Sequence, residues 1–322
     1  MEIEPVEIRR FRWDDVPILV EITNRAVEAD GDDHITTEAE LQDRFQMPYM
    51  NPEANCFVAV LDEGVVAGYC TAELDPRVGR GWGVGYVHPA YRRRGIGARL
   101  LAAADARHLE RGQTEVPPTM PLSSTRYCRD TNAGAMALFA RHGYEVVRRS
   151  WFMRRALDAP VEVYPLPDGL RLRPFVPERD ARAVYEAEQD IFRDNWGYLD
   201  IPYEVWTHLR LGEGIDPAQW LVAVAGEEIA GLCLARPWGQ ERPRVAWIDT
   251  VGVRKAWRRR GLARALLSAM FAQMRTCGFD EVQLEVDTEN TSHAVTLYEQ
   301  AGMEAAKTYL IHQKTFRQGR EE

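Results

Sequence analysis

Two short runs in this chain carry residue types that could hold an anion. Arg92, Arg93, Arg94, Gly95, Ile96 and Gly97 form the first, and Arg258, Arg259, Arg260, Gly261, Leu262 and Ala263 the second. Each follows a strand-like stretch and opens a stretch with helical apolar spacing. At a helix start the first backbone N–H groups have no internal partner, and the helix dipole adds positive potential. Glycine at 95 and 261 permits a positive φ and close approach to a phosphate. The small residues 97 and 263 keep the next turn clear, and the arginines supply charge around a pyrophosphate. Without an anion, cations clustered at a helix N-terminus would oppose the dipole. Neither run is a P-loop, whose G-x-x-x-x-G-K-[ST] spacing is absent, and neither is the G-x-G-x-x-G dinucleotide fingerprint.

The elements that must position these runs are repeated. Residues 57–68 (FVAVLDEGVVAG) are echoed by 221–231 (LVAVAGEEIAG), each reading as strand, polar turn, strand. Residues 132–144 (NAGAMALFARHGY) are echoed by 290–303 (NTSHAVTLYEQAGM), with one extra residue in the second copy. A repeat offset of about 160 residues means a duplicated domain rather than a solenoid. Three prolines and an Asp-Gly between 156 and 169 read as a linker. The expected division is one domain over 1–157, a linker over 158–168 and a second domain over 169–322. Each half should run strand, helix, hairpin, strand, helix, strand, helix, strand, an α/β unit with a mixed sheet. In the second half we expect a strand over 170–175 and a helix over 177–191, with Ala181, Val184, Tyr185 and Glu188 at helical spacing. A strand over 245–253 follows, then a helix carrying Leu262, Leu266, Met270 and Met274 on one face. A strand over 279–286 and a helix over 290–301, ended by Gly302, complete it.

The paired pattern V-x-x-x-x-[QR]-x-x-G-x-[GA] and, some 30 residues later, N…A-x-x-L-[YF]-x-x-x-G resembles the GNAT superfamily of acyl-CoA N-acyltransferases, once per half. The tandem layout is similar to that of mycothiol synthase. The resemblance implies acetyl-CoA bound against the fourth strand, its pyrophosphate on the Arg-rich turn and its pantetheine arm between splayed fourth and fifth strands. It assigns Val251, Val253, Arg258, Arg259, Arg260, Gly261, Leu262, Ala263 and Asn290 to the cofactor in the second half. In the first half it assigns Val87, Arg92, Arg93, Arg94, Gly95, Ile96, Gly97 and Asn132. Lys255 stands where the first half keeps Pro89, the more usual residue.

Acyl transfer from a thioester to an amine needs a base for the ammonium, stabilisation of the developing oxyanion and a proton for the departing thiolate. Residues 283–290 followed by Leu297-Tyr298 look like the L-E-V-x-x-x-N…L-Y pattern of ribosomal-protein alanine acetyltransferases. That likeness implies Glu285 as base and Tyr298 as acid. The first half has Tyr127 and Phe139 at these positions, and phenylalanine donates no proton. Its fifth-strand region, 116–124, contains three prolines and should make a poor central strand. The first half is therefore expected to be catalytically degenerate and the second catalytic. Asp249 is the rival base, placed by period-two counting on the face of Val251 and Val253. The loop 190–200 mixes aromatics and acids, and Asp194, Trp196 and Tyr198 suit an amine on an apolar body.

The remaining composition narrows the partners. The chain has 322 residues, 49 acidic against 40 basic, and a net charge of −9, which disfavours a nucleic-acid binder. All but three of the basic residues are arginine. No apolar run reaches the ~20 residues of a membrane helix, and the acidic N-terminus is unlike a secretory signal. The five cysteines form no C-x-x-C pair and are expected as buried free thiols in a reducing cytoplasm. The expected partner is a small-molecule or peptide amine, without a metal, a membrane or nucleic acid, in a monomer or homodimer. The alternatives are a mycothiol-synthase-like enzyme acting on an amino sugar conjugate, and a CoA-binding sensor or scaffold without turnover.

Overall fold

The structure, a computed structural model, describes residues 6–32, 35–47, 50–212, 216–239, 242–289 and 294–319. The first half contains β1 (Glu7–Arg10), α1 (Val16–Ala29), α2 (Glu38–Phe45), α3 (Pro52–Asn55), β2 (Cys56–Val60), β3 (Val66–Thr71), β4 (Glu73–Asp75), β5 (Arg80–Trp82) and β6 (Gly85–Val87), then α4 (Ile96–Glu115), β7 (Leu122–Arg129), α5 (Ala133–Arg141) and β8 (Glu145–Ala156). The second contains β9 (Arg171–Pro174), α6 (Pro177–Phe192), α7 (Tyr203–Leu211), β10 (Leu221–Ala225), β11 (Glu228–Pro237) and β12 (Val245–Val253), then α8 (Leu262–Thr276), β13 (Glu281–Asp287), α9 (Ala294–Gln300) and β14 (Glu304–Arg317). The hairpins read from the repeat are β2–β3 and β10–β11, both antiparallel.

The chain forms two compact units, and they do not follow the sequence linearly. Unit 1 comprises Met1–Arg149 together with Tyr309–Glu322, and unit 2 comprises Ser150–Thr308. Each unit therefore closes with a strand segment from the end of the other repeat. In unit 2, Ser150–Ala156 of β8 runs antiparallel to β13, from Asp287 opposite Ser150 to Glu281 opposite Ala156. In unit 1, Tyr309–Arg317 of β14 runs antiparallel to β7. The cut expected at 158–168 thus falls inside unit 2, where Val161 and Leu166 pack on the core around α8.

In both units the fourth strand pairs with the fifth in parallel for three residues and then diverges. Arg80, Gly81 and Trp82 of β5 lie opposite Ser123, Ser124 and Thr125. Val245, Ala246 and Trp247 of β12 lie opposite Glu281, Val282 and Gln283. Beyond these pairs, among the described residues β6 pairs as a strand with β3, and the upper part of β12 with β11. A V-shaped gap opens between the two strands, lined by backbone groups without a strand partner.

Unit 1 departs from one expectation. Pro117, Pro118 and Pro121 all precede β7, which is a full strand paired on both sides. The prolines lie in the α4–β7 connection, where no ladder hydrogen bond is required of them.

Unit 2 is built on two apolar layers. Leu262, Leu266, Met270 and Met274 of α8 are buried against Cys233, Ile248, Val282 and Leu284. On the other face Ala181, Val184 and Ala187 of α6 pack with Trp206, Trp220 and Leu232. All five cysteines are free; four are buried, and Cys277, just past α8, is exposed. Among the described residues no helix is long and apolar enough to cross a membrane.

Candidate functional site

The two Arg-rich turns adopt the same backbone. Arg93 and Arg259 have φ of 66° and 60°, and Gly95 and Gly261 follow at 80° and 84°. Gly95 and Gly261 are the N-caps of α4 and α8, and no side chain caps either helix. The space a Cβ would occupy at each glycine is empty to 4 Å. Lack of room therefore does not select these glycines; the left-handed conformation does, and the first amides of each helix have no partner within the helix. Ile96 and Leu262 anchor the helix starts in the core, each 1% exposed. This arrangement fits a pyrophosphate.

The three arginines of each run have different surroundings. Nε of Arg258 donates to the Val253 carbonyl at 3.0 Å, and its Nη2 donates to that of Ile191 at 3.2 Å. Nε of Arg92 likewise donates to the Val87 carbonyl at 3.2 Å, while its other nitrogens reach Asp30. The first arginine thus clamps the turn to the end of the fourth strand. Arg93 and Arg259 carry the left-handed φ. Arg94 and Arg260 lie over Tyr91 and Trp257, at 5.5 and 5.0 Å from the ring centroids.

Unit 1 has a cleft of about 240 Å³ in its V-shaped gap, lined among others by Val87, Gly97, Arg126, Tyr127, Asn132 and Phe139. Asn132 caps α5 through its Oδ1 and donates to Asp30 at 3.0 Å. Asp30 therefore ties together the turn, α1 and the start of α5.

Unit 2 has a cavity of about 350 Å³ on its α6–α7 side, lined by Glu188, Phe192, Trp196, Tyr198, Arg210 and Asp249 among others. The strand register explains how Asp249 arrives there. Thr250 pairs with Leu234, but Ile248 pairs with Ala235, which leaves Asp249 as the extra residue of a β-bulge. The bulge resets the alternation. Ile248 and Val253 are buried on the α8 side and Val251 packs there too, whereas Asp249 pairs with Arg210 of α7 at 3.3 Å and with Arg236 at 3.0 Å. The expectation that Asp249 shares a face with Val251 and Val253 is corrected accordingly.

A buried network supports this cavity. Glu188, 7% exposed, accepts hydrogen bonds from the Trp206 indole at 2.6 Å, Arg210 at 2.8 Å and the Thr250 hydroxyl at 2.6 Å. Arg210 thereby bridges Glu188 and Asp249. Glu188 stands on the apolar stripe of α6, and a charged residue on such a stripe is the sequence signal for this network. Tyr198 donates to Gln189 and reaches Asp200 at 3.0 Å. Burial pushes its phenol up, assisted by Asp200. Asp194 does not line the cavity. It pairs with Lys255 beside the Arg-rich turn, and this contact lowers its pKa.

Tyr298 on α9 is buried in the core of unit 2, 7% exposed. Burial raises its pKa, so the phenol keeps its proton, with the Cys233 thiol nearby adding to the effect. Glu285 of β13 lies opposite Phe152 and is exposed. Ala263 packs against the α8 core. Asn290 lies outside the described residues. Among the described residues no group of three or more His, Cys, Asp and Glu could hold a metal ion.

Comparison with known proteins gives a consistent picture. A model of the acetyltransferase (GNAT) family matches residues 181–303, and one of a GNAT acetyltransferase domain matches residues 52–146. A mycothiol acetyltransferase of Thermobispora bispora is 32% identical over 92% of this chain and 95% of its own length. A GCN5-related N-acetyltransferase of Sphaerobacter thermophilus superposes with a TM-score of 0.81 at 31% identity, covering 98% of each chain. A tandem GNAT protein from the clavulanic acid pathway has a TM-score of 0.74 at 18% identity, covering 97% of this chain and 98% of its own, a likeness of fold.

Proposed function

The chain belongs to the GNAT family of acetyltransferases, and we propose that it transfers an acetyl group from acetyl-CoA to a primary amine of a small molecule or peptide, with catalysis in unit 2. The observation that carries this reading is the cavity uniting Asp249, Trp196 and Tyr198 on the acceptor side of the diverging β12 and β13. Family members generally use acetyl-CoA, which when bound supplies the acyl group as an activated thioester.

The residues divide the work as follows. The amides that open α8, with Arg259 and Arg260, hold the pyrophosphate, while Arg258 keeps the turn in shape. The unpaired edge of β12 around Val251 and Val253 holds the pantetheine arm. Trp196 and Tyr198 receive the apolar body of the amine. Of the two candidate carboxylates, Asp249 lines the cavity, and we assign it the removal of the ammonium proton; Arg210 and Arg236 fix its direction. Tyr298 starts protonated and gives its proton to the thiolate. In unit 1, Phe139 occupies the position of that acid, so unit 1 retains a cofactor cleft without this catalytic group. The free cysteines fit a cytoplasmic setting.

A second reading, acetylation of an amino sugar conjugate, is favoured by the mycothiol acetyltransferase relative, which is aligned over nearly its whole length. Thiol release from acetyl-CoA, followed with simple amines, peptides and amino sugar conjugates, discriminates the two. Asp249→Asn and Glu285→Gln are compared in the same assay across pH. Loss of turnover in Asp249→Asn alone is expected; loss in Glu285→Gln alone would move the base to Glu285. Binding of acetyl-CoA with no turnover on any amine would favour a CoA-binding scaffold.

A further inference from the structure

The inner end of the unit 1 cleft holds a group that acetyl recognition does not require. Arg126 lies on β7 one residue past the last parallel pair, Trp82 opposite Thr125, where the two strands begin to part. It lines the cleft and is only 4% exposed. Its Nη1 makes one long contact, 3.4 Å to the Thr125 carbonyl, while Nε and Nη2 are buried with no hydrogen-bond partner. Those two nitrogens form one edge of the planar guanidinium. By the same edge, in this same chain, Arg111 holds the Glu115 carboxylate at 2.8 and 2.7 Å, and Arg179 holds that of Asp180 at 2.8 and 2.9 Å.

The contrast with unit 2 sharpens the point. One residue past the pair of Trp247 and Gln283 stands Leu284, buried in the apolar core. The buried face of the fifth strand is Val282, Leu284 and Val286 in unit 2 but Ser124, Arg126 and Cys128 in unit 1. The fold therefore does not need a cation here. Gly83 accommodates it: a Cβ at Gly83 would stand 2.6 Å from Nη1 of Arg126 and 2.1 Å from the Thr71 carbonyl. Nor is the charge neutralised by a bonded acid. Glu73 is close enough to interact electrostatically with Arg126, yet its Oε2 also has no partner. A buried guanidinium with an unmet bidentate edge is costly unless an anion completes it.

We propose that the inner end of the unit 1 cleft binds a carboxylate, presented either at the end of a dicarboxylic acyl group on CoA or as a free short dicarboxylate. This inference rests on the reading of unit 1 as an acyl-CoA cleft only for the first of the two sources. The carboxylate lies along the Nε–Nη2 edge of Arg126.

Calorimetric titration of the full chain with CoA, acetyl-CoA, succinyl-CoA and free succinate tests it. In the wild type one site is expected to take succinyl-CoA about tenfold more tightly than acetyl-CoA, the size of one charge-assisted bidentate contact. Arg126→Leu, which installs the residue type of unit 2, abolishes that preference while acetyl-CoA affinity changes little. Arg126→Lys keeps the charge without the fork and retains only part of it, and circular dichroism checks that both variants fold. Equal affinity for succinyl-CoA and acetyl-CoA with no succinate binding, or a preference that survives Arg126→Leu, overturns the proposal. Arg126-dependent succinate binding without any CoA binding at unit 1 would instead retain the carboxylate site and remove the CoA reading. CoA binding at both units without a carboxylate preference would do the reverse.

Discussion

Arg258 donates from Nε to the carbonyl of Val253, five residues earlier, and Arg92 makes the same bond to Val87 in the other unit. The bond folds the Arg-rich turn back onto the strand it leaves. Arg258→Ala should therefore weaken CoA binding at unit 2 by about tenfold through loss of turn geometry as well as charge. Arg260→Ala, which leaves that bond intact, should cost less. Titration of the two variants with CoA checks the order.

Gly261 holds a φ of 84° with nothing near the position of a Cβ. Gly261→Ala meets no clash, so its cost is conformational, about 1 kcal/mol. A modest fall in Tm is expected, together with a larger loss of CoA affinity as the helix-start amides turn away.

Tyr298→Phe should reduce kcat by about a hundredfold, the usual contribution of a positioned acid. Folding should be unaffected, because Phe139 fills the matching position in unit 1. Thermal unfolding and steady-state turnover, measured on the same preparation, separate the two effects.

Glu188→Ala would leave the Trp206 indole, the Thr250 hydroxyl and one side of Arg210 without their shared acceptor. A destabilisation of about 3 kcal/mol follows from stranding buried donors and a buried cation. With Asp249 less well held, KM for the amine should rise.

Asp180 has a distinct pH signature. Burial works to raise its pKa, but hydrogen bonds from Arg179, Arg173 and the Val176 amide outweigh this and lower it well below the usual carboxylate range. A folded-state pKa below the unfolded value of about 3.9 contributes stability above that pH, and the contribution is lost as pH falls through the folded value. Asp180→Asn should therefore lower Tm at neutral pH, and the difference from wild type should shrink in strong acid.

Much of this molecule was readable from its residues. The two Arg-rich turns, the hairpins and the helix over 177–191 all follow from local rules: an uncapped helix start, alternation, and apolar spacing. The bulge at Asp249 was not readable, because a single extra residue inverts the face of a strand without any local marker. Arg210 and Arg236 were invisible as partners of Asp249 for a related reason; they lie 39 and 13 residues away, brought close only by the sheet and α7. Prolines misled the reading of β7, since their effect ends where the strand begins. The exchange of terminal strands was hidden too, since β8 and β14 would look the same in sequence whichever unit they joined.

That exchange has a consequence for inheritance. The half of the sequence that carries Phe139 where the other carries Tyr298 also encodes Ser150–Ala156, which covers β13 of the unit holding Tyr298. Deleting the first repeat would expose β13 as a bare edge, an invitation to aggregation. Deleting the second would strip β7 of its β14 partner and expose that edge in the same way. Neither copy can be discarded as redundant, however far its own chemistry drifts. Whatever its own chemistry, the first half thus supplies an edge that unit 2 needs, which leaves its cleft at liberty to acquire a different ligand.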